Sequence, residues 1–66
     1  MILMINGDSH ELPERATVAD ALAAIDAPAK GIAVALDGQV VRRADWASTG
    51  LSEGAVVEVL TAVQGG

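Results

Sequence analysis

The residues of this sequence most open to chemistry are its last two, Gly65-Gly66, which follow an apolar run from Ala55 to Val63. Lacking a Cβ, both can thread a crevice that any side chain would block. They also leave the carboxylate of Gly66 unhindered to an attacking group. A carboxylate is a poor electrophile, so it reacts only after activation, for instance as an acyl-adenylate made with ATP. A frayed terminus would carry the same glycines, because chain ends are commonly disordered.

No other set of residues forms a catalytic constellation. His10 is the single histidine and there is no cysteine, so neither thiol chemistry nor a disulfide is available. Ser9 is adjacent to His10, but neighbours on a strand point to opposite faces and cannot make a nucleophile–base pair. Asp8, Glu11 and Glu14 lie close in sequence, as do Asp20 and Asp26, without the spacing of a metal loop or a glycine-rich phosphate motif. They read as solvated surface. Trp46, the one aromatic residue, reads as a plug at the edge of a small core, its indole N–H directed to a carbonyl. The expectation is a non-enzyme that binds no metal or cofactor itself.

The bulk properties agree. A chain of 66 residues forms one domain, and a domain of that size buries only about 60% of its unfolded surface. It has little room for an enclosed catalytic cavity. Nine acidic against four basic residues give a net charge of −5, which repels nucleic-acid phosphate and anionic lipid and favours basic partners. The opening Met1-Ile2-Leu3-Met4-Ile5 is too short for a signal peptide and no apolar run is long enough to span a membrane. A cytoplasmic location is expected.

The elements that must position the terminus can be read from turn signals and periodicity. Met1 to Ile5 reads as a buried strand closed by Asn6-Gly7, a hairpin signal, with a second strand over Ser9 to Leu12 that stops at Pro13. A helix is predicted from Val18 to Ile25, with Thr17 as N-cap accepting from the amide of Asp20, and ending before Pro28. Ile32 to Leu36 and Gln39 to Val41 flank a second turn, Asp37-Gly38. A turn of helix is expected near Ala44 to Ala47, and Ala55 to Val63 reads as a long central strand. With the first and last strands both buried, they should lie parallel at the centre of the sheet, with the helix crossing one face. This is an α+β, ubiquitin-like β-grasp: a mixed sheet of four to five strands and one helix. Residues 1–63 are expected to be folded and 64–66 to be a flexible tail.

Alternation along the strands assigns the faces. Leu3, Ile5, Ile32, Val34, Leu36, Val57 and Val59 should face the helix. Leu60, Ala62, Met4 and Ala33 should gather on the open face as an apolar patch beside the tail, where Glu58 also points because burying it unpaired would be costly.

The stretch from Val34 to Val41, with Arg43, Trp46, the Leu51-Ser52-Glu53-Gly54 turn and the ending Thr61-Ala62-Val63-Gln64-Gly65-Gly66, resembles the thiamine-biosynthesis sulfur carriers of the ThiS family. The resemblance is specific from Gly31 onward and a matter of pattern before it. It implies that Gly66 is the point of sulfur attachment and that Gly65 and Gln64 are recognised with it. An adenylyltransferase related to ubiquitin-activating enzymes, using ATP and magnesium, would activate Gly66. Sulfur from a donor such as a cysteine desulfurase would displace AMP to leave a thiocarboxylate, which thiazole synthase would consume. Arg42 departs from the pattern: the doubled arginine has no role that the resemblance assigns, and a surface bridge to Glu53 or Asp45 is the expectation.

Besides a carrier that serves cysteine or another sulfur metabolite, two alternatives remain at this stage. A molybdopterin-type sulfur carrier shares fold and terminus, although those tend to be longer and to carry aromatic or proline residues before the glycines. A ubiquitin-like interaction module with no chemistry at its terminus is the other.

Overall fold

The computed structural model describes residues 1–61. The chain forms strands β1 (Ile2–Ile5) and β2 (Asp8–Glu11), helix α1 (Val18–Ala24), strands β3 (Ile32–Leu36) and β4 (Gln39–Val41), a 3-10 helix (Arg43–Ser48) and strand β5 (Val56–Thr61). They make one five-stranded sheet in the order β2-β1-β5-β3-β4. β1 and β5 run parallel at its centre and the other neighbours are antiparallel. α1 crosses one face, giving the expected β-grasp.

Both hairpins turn on two residues with positive φ: Asn6 and Gly7 at 51° and 84°, Asp37 and Gly38 at 49° and 85°. This is the geometry whose twist matches the strands it joins. The first turn is so tight that Asp8 already pairs with Ile5. β2 therefore starts one residue before the predicted Ser9, and it ends at Glu11. Leu12 still donates its amide to the carbonyl of Met1, at 2.9 Å.

α1 starts as predicted. The Thr17 hydroxyl accepts from the Asp20 amide at 3.4 Å, and the Asp20 carboxylate accepts from the Thr17 amide at 2.8 Å. Two backbone N–H groups that the helix leaves free are thereby satisfied. The other end differs from the expectation: the last helical residue is Ala24, not Ile25, and Pro28 is not what stops it. Asp26 adopts a left-handed φ of 54°. The amides of Asp26 and Ala27 then turn back to the carbonyls of Ala23 and Leu22, at 3.2 and 3.0 Å. This is a Schellman closure with aspartate in the place glycine usually takes.

The core lies between α1 and the sheet. Val18, Ala21 and Leu22 from the helix meet Leu3, Ile5, Val34 and Val57, with Ala16, Leu51 and Ala55 closing the ends. Ile32, Leu36 and Val59 are half-buried on the same side. The alternation read from sequence is thus the observed one. Trp46 sits at the core edge, its indole N–H donating to the Val41 carbonyl at 2.9 Å. Arg42 pairs with Asp45 at 3.4 Å. Glu53 is engaged elsewhere, accepting from the Ile2 amide at 3.1 and 3.2 Å.

Candidate carrier surface and terminal strand

The described surface shows where the side chains singled out from the sequence come to lie. Among the described residues no group of histidine, cysteine, aspartate and glutamate side chains could hold a metal ion. His10 lies on edge strand β2 opposite Leu3, half-buried, while Ser9 pairs with Met4 on the other face. The two are not brought together. Asp20 caps α1 and Asp26 closes it, so two of the clustered acids serve the helix ends. No described helix is long and apolar enough to cross a membrane.

β5 is fixed along both edges before the chain reaches residue 61. Val56 gives its amide to the Asp37 carboxylate at 2.9 Å and takes the Asp37 amide on its carbonyl at 2.8 Å. On the β1 side, the Val57 carbonyl accepts from the Asn6 amide at 2.9 Å. Two residues further on, the Asn6 side chain replaces a strand. Its Oδ1 accepts from the Val59 amide at 2.8 Å and its Nδ2 donates to the Val59 carbonyl at 3.2 Å. Sequence reading treated Asn6 only as a turn former and missed this second role. Asn-Gly signals a turn whatever the side chain then does.

The sheet face away from α1 is apolar. Ile2, Val40, Val56 and Leu60, the large exposed hydrophobic residues among those described, all lie on it. The register shows why: Val56 is level with Met4, Val40 with Ala35, and Leu60 with Ala33, all outward positions. Leu60 is 67% exposed, the most of any β5 apolar residue.

The placement corrects one detail of the expected patch. Leu60 and Ala33 are neighbours, but Met4 lies beside Val56, four residues back along β5, a separation of about 13 Å at the strand rise. Glu58, level with Ala35, stands between the two ends. The apolar face is therefore a band along β5, interrupted by one carboxylate, and not a cluster at its end. Ala62 and the tail residues Gln64, Gly65 and Gly66 lie outside the described residues.

A model of the ThiS family matches residues 3–66, almost the full length. The chain belongs to the ThiS family. Solved structures agree. A crystal structure of the thiamine biosynthesis protein ThiS from Geobacter metallireducens is 32% identical, each chain covered in full, with a TM-score of 0.84. A solution structure of a thiamine biosynthesis protein from the same organism is also 32% identical. It aligns with all of this chain over 88% of its own, with a TM-score of 0.78. No curated protein matches. The ThiS match extends through Gly65 and Gly66.

Proposed function

We propose that this protein is the sulfur carrier that supplies the thiazole ring in thiamine biosynthesis, with sulfur held on the carboxylate of Gly66. The observation that carries the reading is the ThiS-family match from residue 3 through Gly66, which takes in the Gly65-Gly66 ending. The fold supports it. β5, held in the middle of the sheet by Asp37 and Asn6, leads toward that ending, and the apolar band along β5 offers a partner a place to rest.

The chemistry follows from the reactivity of a carboxylate. An adenylyltransferase brings ATP and magnesium, and a Gly66 carboxylate oxygen attacks the α-phosphorus while pyrophosphate leaves. The acyl-adenylate is now electrophilic. The terminal sulfur of a persulfide charged by a cysteine desulfurase attacks its carbonyl carbon and AMP departs, and a second thiol then cleaves the resulting acyl disulfide, leaving the Gly66 thiocarboxylate and a disulfide between the two thiols. Thiazole synthase takes the sulfur and returns the carboxylate, so the carrier is a recycled co-substrate and not a catalyst. Its own residues supply an unhindered terminus and the surface that presents it. The lack of cysteine is consistent, because no side-chain thiol then competes for the sulfur.

Intact-mass measurement tests the proposal. Incubation with the cognate adenylyltransferase, ATP and a sulfur source should shift the mass by the difference between one sulfur and one oxygen. A chain lacking Gly65 and Gly66 should show no shift. A structural ubiquitin-like module would show none in either form and would keep its partner after the deletion.

A further inference from the structure

The strands of the sheet place charge of one sign on the face away from α1. No strand contains a lysine or an arginine, so all four basic residues of the chain lie outside the sheet. Residues paired across neighbouring strands share a face. Glu11 therefore joins Ile2 on the open side, whereas Asp8 and His10 lie with Ile5 and Leu3 on the side of α1. Glu58 is the other acid that a strand places on the open face. On the helix side, a groove of about 380 Å³ lies beside Trp46, between α1 and the 3-10 helix. It is lined by Arg43, and Asp26 and Asp45 each adjoin a lining residue, so no single sign of charge marks it.

Glu58 has apolar neighbours on three sides. Val56 and Leu60 stand about 7 Å away along β5, one on either side. Ala35 is level with Glu58 on β3, and Val40 lies beyond it on β4. Other acids of the chain hold the fold together: Asp20, Asp37 and Glu53 accept from backbone amides, and Asp45 pairs with Arg42. Glu58 has no such task. It is exposed, and among the described residues it makes no ion pair. In water its carboxylate costs nothing. A surface that covered the band would strip that water away, which is costly unless a cation replaces it. A second copy of the chain brings no strand cation to this face, so it cannot supply the partner charge.

We propose, on the carrier reading above, that Glu58 is the specificity-determining residue of the apolar band. It pairs with an arginine or lysine that the adenylating partner sets among apolar side chains. The chemistry of activation selects this partner. It brings the carboxylate of Gly66, on a chain of net charge −5, up to the triphosphate of ATP, and like charges repel. Cations of the adenylating partner that meet the carrier's own carboxylates offset that repulsion. Glu58 is the acid carried by β5, the central strand that leads toward Gly66. Apolar contacts along the band then give affinity, and the ion pair within them rejects surfaces that have no cation at that point.

The test is binding of the full chain to the cognate adenylyltransferase, by calorimetry at low and high salt. Glu58→Leu and Glu58→Gln should each weaken binding by about thirtyfold or more, the usual cost of removing one member of a covered charge pair. Their affinity should also fall less steeply with salt than that of wild type. Glu58→Leu decides the sign, because a band that Glu58 merely interrupts would bind more tightly once the carboxylate became apolar. Glu58→Gln stays polar and nearly isosteric, so its weakening cannot come from self-association or misfolding. Asp8→Leu removes the same charge from the side of the sheet that faces α1 and should bind as wild type does. Tighter binding by Glu58→Leu, or wild-type affinity in Glu58→Gln, overturns the proposal. Equal weakening by Asp8→Leu overturns it too, since only net charge would then matter. If the wild-type chain is neither bound nor adenylated, the carrier reading itself fails.

Discussion

The Asn6 side-chain amide pairs with Val59 through both of its polar groups, at 2.8 and 3.2 Å, across 53 residues of sequence. A turn residue thus extends the parallel ladder beyond the last residue of β1. Asn6→Gly keeps the positive φ of 51° accessible but removes the amide. It should lower stability by about 1–2 kcal/mol, the usual value of one or two such bonds. Denaturant unfolding measures the loss, and hydrogen exchange localises it. Unchanged protection of the Val59 amide would show that the bond is not maintained in solution.

Asp26 offers the reverse case. It closes α1 at a φ of 54°, a region that side chains other than those of asparagine and aspartate rarely enter and that glycine adopts freely. Asp26→Gly should raise stability by about 0.5–1 kcal/mol, despite greater entropy in the unfolded chain. A lower melting temperature in the variant would place the balance with unfolded-state entropy instead.

These two residues mark where sequence reasoning stops. Element order, both type of turn and the inward faces of β1, β3 and β5 were legible because each is local: Asn6-Gly7 and Asp37-Gly38 fix hairpins, and alternation fixes faces. The lateral bond of Asn6 to Val59 was not legible, since it depends on which strand lies beside β1 and in what register. The same holds for Met4, whose face could be read but whose neighbour, Val56, is set by the parallel pairing. The close of α1 was misplaced because Pro28 is the louder signal, while a left-handed aspartate two residues earlier ends the helix first. The groove beside Trp46 arises where two helical segments separated in sequence come together, so no local pattern announces it.

Trp46 tests whether the core edge depends on its polar contact. Trp46→Phe keeps a ring but leaves the Val41 carbonyl without the indole N–H at 2.9 Å. A loss of about 1–2 kcal/mol is expected from the missing bond and the smaller ring. Full stability in the variant would mean that water replaces the indole at Val41 without cost.

The terminal glycines are tested by bulk. Gly65→Ala or Gly66→Ala should leave the unfolding transition unchanged while sharply reducing the rate of adenylation, because a methyl group is added where a crevice must close on the chain. Pyrophosphate release with the cognate adenylyltransferase reads the rate. Adenylation at the wild-type rate would make the absence of a Cβ irrelevant to the chemistry.

Leu60 separates docking from folding. It is 67% exposed beside Ala33 on the open face, whereas Val57 and Val59 on the same strand turn toward the core. Leu60→Asp therefore removes little buried apolar area, and stability should change by no more than about 1 kcal/mol. For a partner that covers the band, the same change puts a desolvated carboxylate into an apolar contact, which typically costs several kcal/mol unless it is paired. Affinity for the adenylyltransferase and for thiazole synthase should fall by at least about tenfold, with a melting curve close to wild type. Val40→Asp is the companion variant: Val40 lies on the same face but on edge strand β4, two strands away from β5. A weaker effect from Val40→Asp than from Leu60→Asp would centre the contact on β5. If Leu60→Asp binds both partners as tightly as wild type, the apolar band is not their docking surface.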